Sequence, residues 1–394
     1  MPHPVEFDPA RVRDPLLRPV AEKVAAGERL TRDDGARLFR SWDLLGVGAM
    51  ADAANRGRHG DVVTFAANQH INPTNVCVLR ATCAFCGYAR LPKEAGAYRY
   101  TLGQVLAEAA HAADGLTKEF HIVGGLDMKA GLAYYAEMFR ALKANFPHVH
   151  IKALTAVEIA HLARIEKLSW SEVLTELKAA GLDTLPGGGA ETFSAAVRDQ
   201  IAGKKLGGAD YIGVHRAAHA LGIRSNCTML YDHVETVDDR MEHLQMLRDL
   251  QDETGGFLAY IPLAYHPDDN RLGKQLGREG TATTMADDLK MLAVGRLFLD
   301  THAHVKSHWI MVSPAVSQVA LHFGVNDLEG TVVREKIYHA VGAKTSQAMS
   351  LDEILRLVRG AGKVPAERDS FYRVLRTFGD PEAAPAGAAL AGAA

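Results

Sequence analysis

The chain has 394 residues, with 47 acidic residues against 44 basic ones and a hydrophobic content of 47%. This length and composition suit one large barrel, or two ordinary domains, with a sizeable core. Because the charges nearly cancel, composition gives no reason to expect binding to nucleic acid or to an anionic membrane. The N-terminus lacks the order of a signal peptide, and no apolar run approaches the length of a membrane span. We therefore expect a cytoplasmic protein that acts on small molecules.

The predicted elements begin with helices and then alternate. Residues 8–58 have a helical pattern, and Thr31 is placed to cap a helix whose first turn carries Asp33 and Asp34. After that segment, short β-rich runs alternate with amphipathic helical stretches. These runs start at Val62, Glu119, His148, Asp183, Ile223, Phe257 and His304.

This alternation predicts an α/β fold with parallel strands joined by helical crossovers. Seven or eight such units would close a (β/α) barrel, and an open doubly wound sheet is the alternative. We expect four parts: an N-terminal helical extension (1–60), the barrel (61–330), a C-terminal helical extension (331–380) and a disordered Ala-rich tail (381–394).

Three of the four cysteines, Cys77, Cys83 and Cys86, lie within ten residues. They follow an extended run, "QHINPTNVC", and so fall where a barrel keeps its chemistry, at the carboxyl ends of strands. In a reducing compartment such thiols indicate metal ligands or catalytic groups more than disulfide partners. Structural zinc normally takes two closely spaced ligand pairs, and no second cysteine pair exists here. Three thiolates can instead hold a [4Fe-4S] cluster with one iron left open. Zinc and cysteines that only pack a loop are the alternatives, and Cys227 is expected to be buried.

The run "HINPTNVC...CAFC" resembles the cluster loop of radical S-adenosylmethionine (SAM) enzymes. The stretches "HIKALTAVEI", "LPGGGAE", "SNCTMLYDHVET", "LRDLQDETGGF" and "EGTVVREKIYHAVGA" are similar to aminofutalosine synthases of the futalosine route to menaquinone, over about residues 30–345. This resemblance implies a TIM-like radical SAM barrel, with a [4Fe-4S] cluster on the three cysteines, Phe85 beside it and SAM as co-substrate.

Two positions depart from that family pattern. Five residues separate Cys77 from Cys83 where the family usually has three. Lengthening a loop by two residues has a small entropic cost, so we retain Cys83 as a ligand. Asp232 stands where the family usually has glycine. Its carboxylate is expected to perturb the backbone or the charge beside the cofactor.

The resemblance also implies how SAM is held. Gly124 and Gly125 end a strand and resemble the segment that receives the methionine amino group. Glu191 follows three glycines and is placed to accept ribose hydroxyl protons. Contacts with the adenine are implied for Thr228, Leu230 and Glu235. The alternative interpretations are a plain turn, a helix-initiating loop, and a buried strand followed by a capped helix.

In the family, the 5′-deoxyadenosyl radical adds to the enolpyruvyl double bond of 3-[(1-carboxyvinyl)oxy]benzoate, and rearrangement with loss of the carboxyl carbon gives 6-amino-6-deoxyfutalosine. The family reaction needs one electron to cleave SAM, which would come from a donor such as flavodoxin or ferredoxin. The helix faces offer surfaces for a homodimer interface. One alternative is a sister radical SAM enzyme that removes hydrogen: the dehypoxanthine futalosine cyclase or the deazaflavin-precursor synthase. The other is a non-catalytic iron-sulfur or zinc protein.

A substrate with two carboxylates requires cationic or hydrogen-bonding groups in the barrel mouth. The sequence offers as candidates Lys152, His121, Arg80, His308 and Lys306, with Tyr265 and His266 at the end of a further strand. For each of them a solvated rim charge or a satisfied core side chain is the alternative interpretation.

Overall fold

The computed structural model describes residues 4–110, 112, 115–281, 283–333 and 335–379. The predicted disordered tail, 381–394, lies outside these residues. The helices are α1 (Arg18–Ala26), α2 (Arg32–Arg40), α3 (Leu44–His59), α4 (Leu102–Ala109), α5 (Leu132–Asn145), α6 (Ala156–Glu166), α7 (Trp170–Ala180), α8 (Ala195–Ala202), α9 (Gly208–Ala220), α10 (Val237–Thr254), α11 (Arg271–Leu276), α12 (Met285–Phe298), α13 (Trp309–Val312), α14 (Pro314–Ala320) and α15 (Leu351–Gly360). Within the described ranges no helix is both long enough and apolar enough to cross a membrane.

The strands form two sheets that meet, and nearly all of their neighbouring strands run parallel. The strands are β1 (Val62–Phe65), β2 (Asn68–Ile71), β3 (Glu119–Ile122), β4 (His150–Ala153), β5 (Ser225–Tyr231), β6 (Phe257–Ala264), β7 (His304–Ser307), β8 (Asp327–Leu328), β9 (Val364–Arg368) and β10 (Val374–Thr377). One sheet has the order β2-β3-β4, and the other has the order β10-β9-β1-β8-β7-β6-β5. Only β10 runs antiparallel to its neighbour in the described sheets.

Single residue pairs join the two sheets on both sides. Lys152 of β4 pairs with Thr184, and the next residue, Leu185, pairs with Ser225 of β5. On the other side, Gln69 of β2 pairs with Val333, which follows β8. The strands from β2 to β8 therefore surround a common interior, as the predicted barrel requires, and the carboxyl ends of these parallel strands open on one face.

The N-terminal helices cover one side of this barrel. Thr31 caps α2 as predicted: its Oγ1 accepts the backbone N–H of Asp34 at 3.2 Å, and the Asp34 carboxylate accepts the N–H of Thr31 at 2.9 Å. This capping box satisfies two backbone donors that a helix start would otherwise leave free. Helices α2 and α3 pack on α12, and α2 also contacts α10.

The C-terminal segment corrects one prediction. Residues 331–380 were expected to be helical, but the described part contains α15 and the strands β9 and β10. The reason is a partner distant in sequence. Arg368 of β9 is fully buried, and its Nε and Nη2 donate to Asp327 of β8 at 2.5 and 2.9 Å. Such a buried ion pair requires β9 to lie beside the barrel strands.

Candidate active site

A cavity of about 290 Å³ lies at the carboxyl ends of the barrel strands. Its walls combine the cysteine loop with side chains from the barrel interior. Most of the wall is apolar, including Leu230, Ile261 and Leu263. A few polar groups converge on it, which is the usual composition of a small-molecule site.

All three clustered cysteines line this cavity, and none forms a disulfide. The long spacing between Cys77 and Cys83 is taken up by a turn: the N–H groups of Thr82 and Cys83 both donate to the carbonyl oxygen of Leu79, at 2.9 Å. The two additional residues thus coil locally, and Cys83 still faces the same cavity as Cys77 and Cys86. The fourth cysteine, Cys227, is fully buried in β5, as predicted.

The chemistry of these thiols fits a metal cluster. Burial raises the pKa of Cys83 to about 12 and also raises the pKa of Cys77 above its usual value. Bound metal reverses this effect, because a coordinating thiol is deprotonated. The sulfur atoms of these three cysteines, all within the described residues, do not all lie within 4.8 Å of one another. A four-iron cluster spreads its ligands more widely than a single ion, so the three cysteines fit a [4Fe-4S] cluster better than zinc.

Lys205, which the sequence analysis did not identify, joins the cysteine loop to the glycine loop. Its buried Nζ pairs with the carboxylate of Glu191 and lies 5.4 Å from the centre of the Phe85 ring. Burial lowers the pKa of Lys205, but Glu191 and Cys83 outweigh this effect and hold it above the usual value. Glu191 and Phe85 both line the cavity, as their predicted SAM contacts require. Nothing in the local sequence distinguishes Lys205 from the adjacent Lys204.

Gly124 and Gly125 also line the cavity, and the structure shows why both are glycine. A Cβ on Gly125 would lie 2.2 Å from the carbonyl oxygen of Val76, and one on Gly124 would lie 2.8 Å from that of Thr74. The glycines therefore allow the strand end to pack closely against the segment that begins the cysteine loop.

Glu158 is a second cavity residue that the sequence analysis missed. Its Oε1 accepts the N–H of Gly124 at 2.9 Å, and its Oε2 accepts the N–H of Thr155 at 2.7 Å. Burial raises the pKa of this carboxyl group to about 7. The capping pattern Thr155-x-x-Glu158 at the start of α6 is the signal that could have identified it.

Two of the three residues predicted to contact the adenine line the cavity, and the third does not. Thr228 and Leu230 line the cavity, and Thr228 Oγ1 donates to the carbonyl oxygen of Gly187 at 2.6 Å, which fastens the glycine loop to β5. Glu235 does not line the cavity. Its carboxylate accepts the N–H groups of Asp232 and His233, at 2.7 and 2.9 Å, and so organises the turn after β5.

Lys152 and Arg80, two of the three candidate substrate contacts that lie away from the cavity wall, are paired within the protein. Lys152 is fully buried, and its Nζ binds Glu119 Oε2 at 2.6 Å. Arg80 pairs with Glu94, at 3.5 Å between Nη2 and Oε1. Both cations are therefore engaged by carboxylates of the protein itself, and neither belongs to the cavity lining.

The other candidates are histidines and their neighbours in the barrel. His121, His308, Tyr265 and His266 line the cavity. Lys306 does not; it is buried and pairs with Glu329 at 3.2 Å and with Asp327 at 3.5 Å.

His70 and Glu329, which the sequence analysis did not single out, stand beside His121. The rings of His70 and His121 stack with centroids 4.6 Å apart. Their positions in the fold explain the omission: β2, β3 and the segment after β8 are far apart in sequence and meet only when the barrel closes.

Two family models match this chain: the radical SAM superfamily over residues 71–247 and the CofH/MqnC C-terminal region over residues 254–379. The aminodeoxyfutalosine synthase of Thermus thermophilus is 42% identical over 94% of this chain and 99% of its own length. The cyclic dehypoxanthine futalosine synthase of Streptomyces coelicolor is 37% identical over 93% of this chain and 90% of its own. The solved structure of methylornithine synthase (PylB) covers 88% of this chain and 96% of its own, with a TM-score of 0.69 and 15% identity.

The likeness to methylornithine synthase concerns the fold, and it agrees with the barrel described above. The radical SAM match begins in β2 and covers all three clustered cysteines. Together with the geometry of the thiols, it establishes a [4Fe-4S] cluster and SAM as the cofactors. Similarity over nearly the full length of both chains extends the relationship beyond the barrel. The chain belongs to the aminofutalosine (aminodeoxyfutalosine) synthase family of radical SAM enzymes.

Proposed function

We propose that this enzyme joins the 5′-deoxyadenosyl group of SAM to 3-[(1-carboxyvinyl)oxy]benzoate and, after rearrangement and decarboxylation, releases 6-amino-6-deoxyfutalosine for menaquinone biosynthesis. The observation that carries this proposal is the 42% identity to an aminodeoxyfutalosine synthase over 99% of that protein's length. The cavity supports it, because the three thiols and the barrel interior share one space in which a SAM-derived radical and a substrate can meet.

The protein contributes binding, orientation and exclusion of water. When bound, the cluster and SAM supply a 5′-deoxyadenosyl radical. Cys77, Cys83 and Cys86 would hold the cluster, and Lys205 and Phe85 would close the space beside it. Glu191 would accept hydrogen bonds from the ribose.

The barrel wall completes this site. Thr228 holds the glycine loop against β5, and Gly124 and Gly125 would receive the methionine part of SAM. The apolar side chains of Leu230, Ile261 and Leu263 keep water and competing hydrogen donors away from the reacting atoms.

The reaction requires one electron from outside. We expect a donor such as flavodoxin or ferredoxin, and we place the reaction in the cytoplasm, where three free thiols stay reduced before they bind iron. Whether two chains associate is tested by measuring the mass of the holoenzyme in solution.

The second candidate is a sister reaction that begins with hydrogen removal, as in the cyclase or the deazaflavin-precursor synthase. The 37% identity to a cyclic dehypoxanthine futalosine synthase favours keeping it. The two classes differ in what happens to the adenosyl group. Addition retains it in the product, whereas hydrogen removal releases free 5′-deoxyadenosine.

Mass spectrometry of an anaerobic turnover mixture separates the two candidates. The reconstituted enzyme is incubated with reductant, SAM and 3-[(1-carboxyvinyl)oxy]benzoate. We expect a product with the mass of an adenosylated, decarboxylated adduct, which Cys83→Ala does not form and Cys227→Ala still forms. Free 5′-deoxyadenosine as the main product, with no adduct, would contradict the proposed function.

A further inference from the structure

Two imidazoles and one carboxylate form a compact ligand set inside the cavity. His70 on β2, His121 on β3 and Glu329 after β8 each offer one ligand atom, and these atoms all lie within 4.8 Å of one another. All three residues line the cavity that the clustered cysteines share. Two histidines and one carboxylate, with the remaining positions open, are the ligand set of many divalent transition-metal sites.

One buried nitrogen in this set, and one beside it, lack a hydrogen-bond partner. His70 is 6% exposed and its Nε2 has no hydrogen-bond partner, and the neighbouring His308 is 7% exposed with an unpartnered Nδ1. An unsatisfied buried polar atom is costly and calls for an explanation, such as a ligand that the site takes up.

The charge of the cavity favours a cation. The described part of its wall carries Glu191, Glu329 and Glu335, besides the largely protonated Glu158, and its single lysine or arginine is Lys205. Lys205 pairs with Glu191, and Lys306, behind the wall, pairs with Glu329, so Glu335 has no lysine or arginine partner in the described wall. The proposed substrate brings two further carboxylates. A cation bound among these groups would offset the repulsion that the substrate otherwise meets.

Glu329 retains the capacity to bind such a cation. Lys306 pairs with its Oε2 at 3.2 Å, and Asn68 Nδ2 donates to its Oε1 at 3.2 Å. A carboxylate has about four lone-pair positions, so two contacts do not exhaust it. Lys306 also pairs with Asp327. If the Lys306 side chain moved away from Glu329, Asp327 would still compensate the charge of Lys306.

We propose that His70, His121 and Glu329 bind a divalent transition-metal ion whose open coordination positions take a carboxylate of the substrate. The substrate part of this inference rests on the proposed function. The ion binds and orients the substrate, since a metal that accepts a carboxylate oxygen acts as a template for the reacting groups.

Binding of Mn²⁺ to the reconstituted holoenzyme tests the site without turnover. Mn²⁺ prefers carboxylate and other oxygen ligands to soft thiolates, so it does not compete for the cysteines. After treatment with a chelator, the enzyme is titrated with Mn²⁺, and the electron paramagnetic resonance signal of the hydrated ion reports the free concentration. We expect one saturable equivalent per chain. Glu329→Gln and His121→Ala should weaken it at least tenfold, while His148→Ala, at an exposed position, should leave it unchanged.

The iron content of each variant shows whether it folds and holds its cluster. The absence of a saturable equivalent in the unaltered enzyme, or equal affinity in Glu329→Gln and His148→Ala, would overturn the metal site. If the enzyme turns over the enolpyruvyl benzoate, that substrate should tighten Mn²⁺ binding at least tenfold, because coupling between two ligands is reciprocal. Unchanged Mn²⁺ affinity in that case would overturn the substrate assignment. If turnover fails while the variants still lose Mn²⁺, the proposed function fails and the metal site is supported.

Discussion

Arg278 binds Asp232 at two points: Nη2 donates to the carboxylate Oδ2 at 2.6 Å, and Nη1 donates to the backbone carbonyl oxygen at 2.5 Å. Asp232 has a φ of +67°, in the left-handed region that favours glycine, and the family usually has glycine at this position. Aspartate tolerates this conformation better than most residues. The predicted perturbation is therefore local: Arg278 neutralises the carboxylate, and Asp232 does not line the cavity.

Replacing Asp232 should separate backbone strain from the ion pair. Asp232→Ala loses the pair and keeps the strained φ, so we expect a loss of about 2 kcal/mol in the free energy of unfolding. Asp232→Gly loses the pair but relieves the strain, and should lose less than about 1 kcal/mol. Urea unfolding of the anaerobic holoenzyme measures both values. Equal losses in the two variants would contradict the importance of the backbone conformation.

The pair between Lys205 and Glu191 should behave as a coupled unit. Lys205→Met leaves the Glu191 carboxylate buried without its partner, and we expect a loss of about 3 kcal/mol in the free energy of unfolding. Lys205→Met combined with Glu191→Gln removes the uncompensated charge and should recover at least half of that loss. Urea unfolding of the two single variants and the double variant completes the cycle. Additive losses would show that the pair does not act as described.

The three-cysteine assignment predicts an iron content that depends on position. Alanine at Cys77, Cys83 or Cys86 should prevent formation of a stable [4Fe-4S] cluster, because each supplies one of three thiolates. Cys227→Ala is the matched control, because the Cys227 thiol is buried in β5 and is not a cluster ligand. This variant should retain four irons per chain. Iron and sulfide analysis after anaerobic reconstitution measures the result. A complete cluster in Cys83→Ala would exclude Cys83 as a ligand.

Glu158 should make stability depend on pH. Burial raises its pKa from 4.5 to about 7, so the protonated form is favoured in the folded protein. The stability that this protonation contributes is fully present below about pH 4.5 and is lost as the pH rises through about 7. Relative to Glu158→Gln, the SAM-free enzyme should lose about 2 kcal/mol of unfolding free energy between pH 5 and pH 8. Parallel pH profiles for the two proteins would show that Glu158 titrates near its ordinary value.

The features that could be predicted from the sequence depend on neighbouring residues. The cap at Thr31 involves a residue three positions away, and the cysteine loop spans ten residues, so both patterns are visible locally. The strands of the barrel alternate with helices at a spacing that requires parallel pairing.

The features that were missed depend on contacts between distant segments. The strand β9 is held by Arg368, whose partner Asp327 lies 41 positions away. Lys152 appears in the sequence as a free cation, but its buried partner Glu119 lies on the adjacent strand β3. Local pattern does not reveal either partner, because pairing of separate strands determines which charges meet.

The most direct test of the three-cysteine site is electron paramagnetic resonance of the dithionite-reduced holoenzyme before and after SAM is added. Three protein thiolates leave one iron of the cluster free to exchange its ligand. We therefore predict the spectrum of a reduced [4Fe-4S] cluster that changes when SAM binds. A spectrum that SAM does not alter, or the absence of a four-iron signal, would contradict the account.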